Sequence, residues 1–112
     1  MDKLTQYRKI VQDVLIPIAE RRYSSSTIYH EAVFDGVNDR YLILTVGWER
    51  RVRRIHHCLI HLDIIDGKIW IQRDGTEYGI AYELEEAGVP KSDIVLAFHS
   101  EDVRPHTGYA VA

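Results

Sequence analysis

The sequence predicts an α+β fold: an N-terminal amphipathic helix, a four-stranded antiparallel sheet made of two hairpins, a second helix and a short C-terminal strand. Three observations carry that reading. Apolar residues recur at three- and four-residue steps near the N-terminus and again after residue 77, which is the period of a helix face. Between these stretches the period falls to two, the mark of strands with one buried face. Turn residues then divide the alternating region into pairs of runs, as hairpins require.

The first helix is read from Leu4, Tyr7, Ile10, Val11, Val14, Leu15 and Ile18, with Lys3, Arg8, Lys9, Gln12 and Asp13 between them. Pro17 lacks an amide hydrogen and crowds the carbonyl four residues back, so the helix is expected to end near Ile16 or to kink and restart there. Ser24, Ser25 and Ser26 are expected to form a short polar loop.

Alternation from Thr27 to Phe34 and from Arg40 to Trp48, across Asp35-Gly36-Val37-Asn38-Asp39, predicts the first hairpin. The second joins Val52–Ile65 to Lys68–Arg73 across Asp66-Gly67. That dipeptide takes the positive φ a two-residue turn needs, so it also sets the register. If Ile65 faces Lys68, then Ile64 faces Ile69, Asp63 faces Trp70, Leu62 faces Ile71 and His61 faces Gln72. Strict alternation then puts Cys58, Ile60, Leu62, Ile64, Ile69 and Ile71 on the core side and His57, Leu59, His61, Asp63, Trp70 and Gln72 on the other.

After the sheet, Asp74 and Glu77 have N-cap and N3 spacing, Ile80, Leu84 and Ala87 make a stripe, and Gly88 and Pro90 stop a helix spanning about 77 to 87. Ile94–Phe98 is a short continuous apolar run suited to a buried strand, and the segment holding Arg104, Pro105 and Gly108 reads as loop or a single turn.

A chain of 112 residues can bury one core without disulfides or metal, so one domain is expected. The hydrophobic share of 46% and charged share of 28% are those of an ordinary soluble protein, which excludes a disordered or membrane-spanning class. Net charge is −3 with a pI near 6.0, giving no overall pull toward nucleic acid or anionic lipid. A single cysteine and no signal-like apolar run at the start lead to an expectation of a cytoplasmic protein.

The histidine-rich stretch around His56, His57, Cys58, His61 and Asp63 raises a metal site. A strand rises about 3.3 Å per residue, so His57 and His61 lie roughly 13 Å apart, too far to share an ion bound at about 2 Å. Neither metal nor cofactor is expected. No Gly-x-Ser-x-Gly elbow is present, Cys58 falls on the apolar side, and Asp66-Gly67-Lys68 is better explained as a turn than as a nuclease motif. No catalytic residue is therefore assigned, and the protein is read as a non-enzyme.

Two features remain for binding. Arg50, Arg51, Arg53 and Arg54 cluster at the turn between the second and third strands, where they could touch phosphate or an acidic partner. Trp70 stands on the wetter sheet face with His57, His61, Asp63 and Gln72, a composition that suits a protein interface. The competing reading has Trp70 covered by the first or last residues of the chain.

Val46-Gly47-Trp48, His57 with His61-Leu62-Asp63-Ile64, and the unbroken series Asp66 to Glu77 resemble the XisI family, the fdxN-element excision controlling factors found mainly in cyanobacteria. The resemblance continues through Gly79-Ile80-Ala81, Glu83-Leu84, Gly88-Val89-Pro90-Lys91, Asp93-Ile94-Val95-Leu96, Phe98-His99 and Ala110-Val111-Ala112. Tyr7-Arg8 and Tyr41-Leu42 place the first half, so it covers essentially the whole chain. It implies a small α+β accessory protein that works with a nuclease-related XisH-like companion, in DNA element excision or in a toxin–antitoxin-like pair, with a separate recombinase doing the excision. A homodimer through the tryptophan-bearing face is a further expectation. The alternative is a direct DNA-binding accessory protein using the Arg50–Arg54 turn.

Overall fold

The computed structural model describes residues 2–21 and 27–112, so the expected Ser24–Ser26 loop lies outside the described residues. Helix α1 (Lys3–Ala19) begins where the Asp2 carboxylate accepts a hydrogen bond from the Thr5 amide at 2.8 Å. Its buried stripe is Tyr7, Val11, Leu15 and Ile18. The helix does not stop at Ile16. Pro17 removes the one bond its amide would have made in the last turn, and burial of Leu15 and Ile18 carries the turn past it.

Strands β1 (Ile28–Asp35), β2 (Arg40–Glu49), β3 (Arg53–Ile65) and β4 (Lys68–Asp74) form the two expected antiparallel hairpins, with boundaries within a residue of expectation. Strand β5 (Ile94–Leu96) joins them as the fifth strand of one sheet in the order β1-β2-β3-β4-β5, parallel to β4. A parallel neighbour needs a crossover, and helix α2 (Ile80–Glu86) supplies it. Short 3-10 turns at Lys91–Asp93 and Arg104–His106 flank β5 and begin the return of the tail.

Two register shifts decide the faces of this sheet. Between β2 and β3, Ile43 pairs with Ile60 while Leu44 pairs with Cys58, so Leu59 is an extra residue on β3. Between β3 and β4, Leu62 pairs with Ile71 while His61 pairs with Arg73, so Gln72 is an extra residue on β4. The expected pair of His61 with Gln72 is thereby corrected. The pairs from Ile65 with Lys68 to Leu62 with Ile71 stand as the Asp66-Gly67 turn dictates. A bulge moves every residue beyond it to the other face.

The core lies between one sheet face and the helices. Ile60, Leu62, Ile64, Ile69 and Ile71 meet Tyr7, Val11, Leu15, Ile80 and Leu84 there, and each fully buried aliphatic side chain contributes about 1.5–3 kcal/mol. Leu59 also packs on this side because of its bulge, and Cys58, expected in the core, turns to the opposite face beside Leu44. Burial still pushes the Cys58 thiol up, against the pull of Arg73.

Helix α2 starts three residues later than expected. Gly79, at φ 88°, occupies the N-cap and has no side chain to cap with. Asp74 does the capping from a distance, accepting from the Ile80 amide at 2.7 Å and from the Thr76 amide at 2.9 Å. The bulge at Gln72 turns Asp74 to the helix side, which makes this reach possible. Among the described residues no helix is long and apolar enough to cross a membrane.

Candidate partner-binding face

Both helices pack on one side of the sheet, so the other side is left to the strands and the tail. Register places Tyr29, Glu31 and Val33 of β1, Arg40, Leu42, Leu44, Val46 and Trp48 of β2, and Arg54, His56, Cys58, His61 and Asp63 of β3 on this outer face. Trp70 and Gln72 of β4 continue it.

Its two halves differ in chemistry. Toward the Trp48 end Tyr29 is 41% exposed and Trp48 46%, beside half-buried Leu44, while Val33, 44% exposed, lies across half-buried Leu42 at the level of His61. Toward the other end it is polar and organised around Asp63. That carboxylate is buried, accepts from His61 Nε2 at 2.8 Å and from Gln72 Nε2 at 3.2 Å, and has Arg40 Nε at 3.6 Å. A buried carboxylate needs such partners, because an unpaired charge out of water is costly. Arg40 was not among the residues singled out from sequence. The signal that finds it is the β2–β3 register, which sets Arg40 opposite Asp63.

Of the residues expected to share a surface, His61, Asp63, Trp70 and Gln72 are together. His57 is not. The Leu59 bulge sends it to the helix side, opposite Thr45, in electrostatic range of His30. Trp70 is half-buried by the last residues of the chain: the Arg104 guanidinium lies 5.5 Å from the indole centroid, and Val95, its neighbour on β5, is fully buried. The indole Nε1 is buried without a hydrogen-bond partner among the described residues.

The arginine turn is partly engaged within the chain. Arg53 lies 3.6 Å from Glu49, and Arg54 stacks 5.2 Å from the Trp48 centroid while donating to the Gly47 carbonyl at 3.3 Å. Arg50 and Arg51 stand exposed at the tip with φ of 51° and 64°. Two adjacent positive φ values suit a tight hairpin turn, but arginine reaches them only with strain.

Among the described residues no three histidine, cysteine, aspartate or glutamate side chains gather in a group able to hold a metal ion. On the helix side a cleft of about 260 Å³ opens between the end of α1 and the approach to α2, lined by Ile18, Arg21, Leu59, Thr76, Tyr78 and Glu83 among others.

The family model described as XisI protein matches residues 1–111. The chain belongs to the XisI family. A solved XisI-like protein from Anabaena variabilis is 37% identical, covering 97% of this chain and 99% of its own, with a TM-score of 0.90. The fdxN element excision controlling factor XisI from Anabaena variabilis is 36% identical over 99% of this chain and 100% of its own, with a TM-score of 0.82. A search of the curated proteins finds no match. Among the described residues the XisI fold of this chain is two helices on one face of a five-stranded mixed sheet, with the other face carrying the apolar and polar side chains described above.

Proposed function

We propose that this XisI-family protein is a non-catalytic controlling factor that binds a XisH-like, nuclease-related companion through the outer face of its sheet. Membership of the family and likeness to an fdxN element excision controlling factor support the regulatory role. The observation that carries the binding surface is the outer face itself, where Tyr29, Val33 and Trp48 each leave more than two fifths of their area in water. Exposed aromatic and aliphatic side chains grouped beside fixed polar ones are the anatomy of a protein interface. His61, Gln72 and Arg40, locked by Asp63, supply directional contacts at the polar end.

Co-expression with a XisH-like protein tests this reading. The two proteins are expected to co-purify, and Trp48→Ala is expected to weaken the complex at least tenfold. Two folded proteins that fail to associate would sink the proposal.

A second reading, direct DNA contact, is favoured by Arg50 and Arg51, which stand at the turn with no carboxylate partner among the described residues. Two phosphate contacts would give a shallow salt dependence of binding, and affinity that survives Ala replacement of both arginines removes this reading.

A further inference from the structure

The turn between β2 and β3 reaches past the neighbouring strand. Pairing of β3 with β4 ends at Ile60 and Asp74, so residues 53–58 run on beyond β4 to a tip at residues 49–52. Arg50, Arg51 and Arg53 are exposed there, and Val52 beside them is 81% exposed. Arg50 and Arg51 hold φ of 51° and 64°, with no ion pair among the described residues to offset the strain. Strain kept in two exposed cations points to a task outside the chain.

A shallow groove of about 400 Å³ on the helix side has the opposite character. It runs between α1 and α2, lined by Asp13, Val14, Pro17, Tyr82, Glu83 and Glu86 among others. Glu83 and Glu86 are three apart on α2 and so share a face, with Asp13 across from them on α1. Arg21 is the one cation in the lining, and the Asp13 carboxylate is already held by Lys9 at 2.5 Å, which leaves the two glutamates in excess. Pro17 has no amide to donate to the Asp13 carbonyl, so a backbone acceptor of a lining residue lacks its helical donor. Helix α2 has no basic residue in its last turn, where a cation is favoured by the negative end of the dipole. Tyr82, 60% exposed, adds a ring face.

We propose that the Arg50–Arg51 tip of one copy of this chain seats in the α1–α2 groove of another. Charge complementarity selects this occupant: a projecting basic tip and a recessed acidic groove are present on the same molecule. A guanidinium suits the groove because its planar fork can donate to carboxylate and carbonyl together while its face stacks on an aromatic ring. Val52 brings an apolar contact to Val14 and Pro17. The chain builds the same combination within itself, where the Lys91 ammonium lies 5.6 Å from the Tyr109 ring centroid and 3.9 Å from Glu85. Tip and groove are different surfaces, so the contact is head to tail. It engages neither Val33 nor the Asp63 cluster of the outer face and does not rest on the companion reading.

Sedimentation velocity of the full chain over the micromolar range tests the proposal, with circular dichroism as a check on folding. Wild type is expected to self-associate, and to do so at least tenfold more weakly at about 1 M salt, where the screening length falls to about 3 Å. Arg50→Glu with Arg51→Glu, and separately Glu83→Lys with Glu86→Lys, are each expected to weaken association at least tenfold. Mixed in equal amounts the two variants should associate again, because intact tips then meet intact grooves and reversed tips meet reversed grooves. Arg50→Asn with Arg51→Gly relieves the strained turn, so it should lose association while folding at least as well as wild type. The glutamate variant keeps both arginines, so phosphate binding at the tip cannot account for its loss. A wild type that is monomeric throughout, a variant that associates like wild type, or a mixture no tighter than either variant alone overturns the proposal.

Discussion

Arg104 lays its guanidinium over the Trp70 indole, 5.5 Å from the ring centroid, and donates hydrogen bonds to the carbonyls of His99, Ala97 and Val111. One side chain thus ties separate points of the tail to β4. Arg104→Ala is expected to lower stability by about 1–3 kcal/mol, the sum of a half-buried cation–π contact and charge-assisted hydrogen bonds. In a Trp48→Phe background, Trp70 emission should move to longer wavelength as the indole meets water. Arg104→Lys should recover little, since an ammonium lacks the planar fork that reaches several carbonyls at once. Unchanged emission and stability in Arg104→Ala would show that the tail is held by other contacts.

Asp63 and His57 separate the two sheet faces. Removing the buried carboxylate in Asp63→Ala leaves His61 and Gln72 without their acceptor and is expected to cost about 1–3 kcal/mol in denaturant unfolding. It should also weaken capture of the companion, because Arg40 and Gln72 are then free to reorient. His57→Ala, on the helix side, should alter capture less than twofold. Loss of capture in His57→Ala with Asp63→Ala intact would place the interface on the wrong face.

Arg8 holds the Asp39 carboxyl below its usual value of 3.8 through hydrogen bonds of 2.8 and 3.1 Å, with a further bond from the Tyr41 hydroxyl. Asp93 is lowered as well: burial works against it, but Lys3 and the Tyr7 hydroxyl outweigh burial. A carboxylate whose folded value is depressed stabilises the protein above its unfolded value, and that contribution disappears as pH falls through the folded value. Stability should therefore hold down to about pH 4 and drop steeply below it. Asp39→Asn, which tolerates the same positive φ of 55°, should start lower at neutral pH and lose less on acidification. Parallel curves for the two proteins in acid would refute the assignment.

The strained turn offers a gain of stability. Replacing Arg50-Arg51 with Asn-Gly puts residues that favour positive φ at both positions and should raise stability by about 1–2 kcal/mol. If these arginines serve partner or phosphate binding, the more stable variant will bind less well; equal binding assigns them to the turn alone.

Much of this architecture was legible in advance. Asp66-Gly67 set the second hairpin and four pairs of its register, because a two-residue turn leaves the flanking strands no freedom. The buried stripe of α1 followed from spacing alone, since side chains three and four apart share a helix face. The candidate site was legible in part. Asp63 and Trp70 are cross-strand partners three positions from that turn, so their neighbourhood was within reach of sequence reasoning. Arg40 was missed because its link to Asp63 depends on the pairing of two separate hairpins, and His57 was misplaced because a bulge lay between it and the turn.

By itself the sequence determined the order of elements, the greasy side of the central hairpin and membership of the XisI family, all of which rest on local periodicity or on an ordered series of residues. Tertiary structure alone decided the bulges at Leu59 and Gln72, the passage of α1 through Pro17, the capping of α2 by Asp74 and the covering of Trp70 by the tail. The reason is physical. Alternation is a property of neighbours along a chain, whereas a bulge arises where strands of unequal length must both satisfy their ladders and their core, and one extra residue reverses every side chain beyond it.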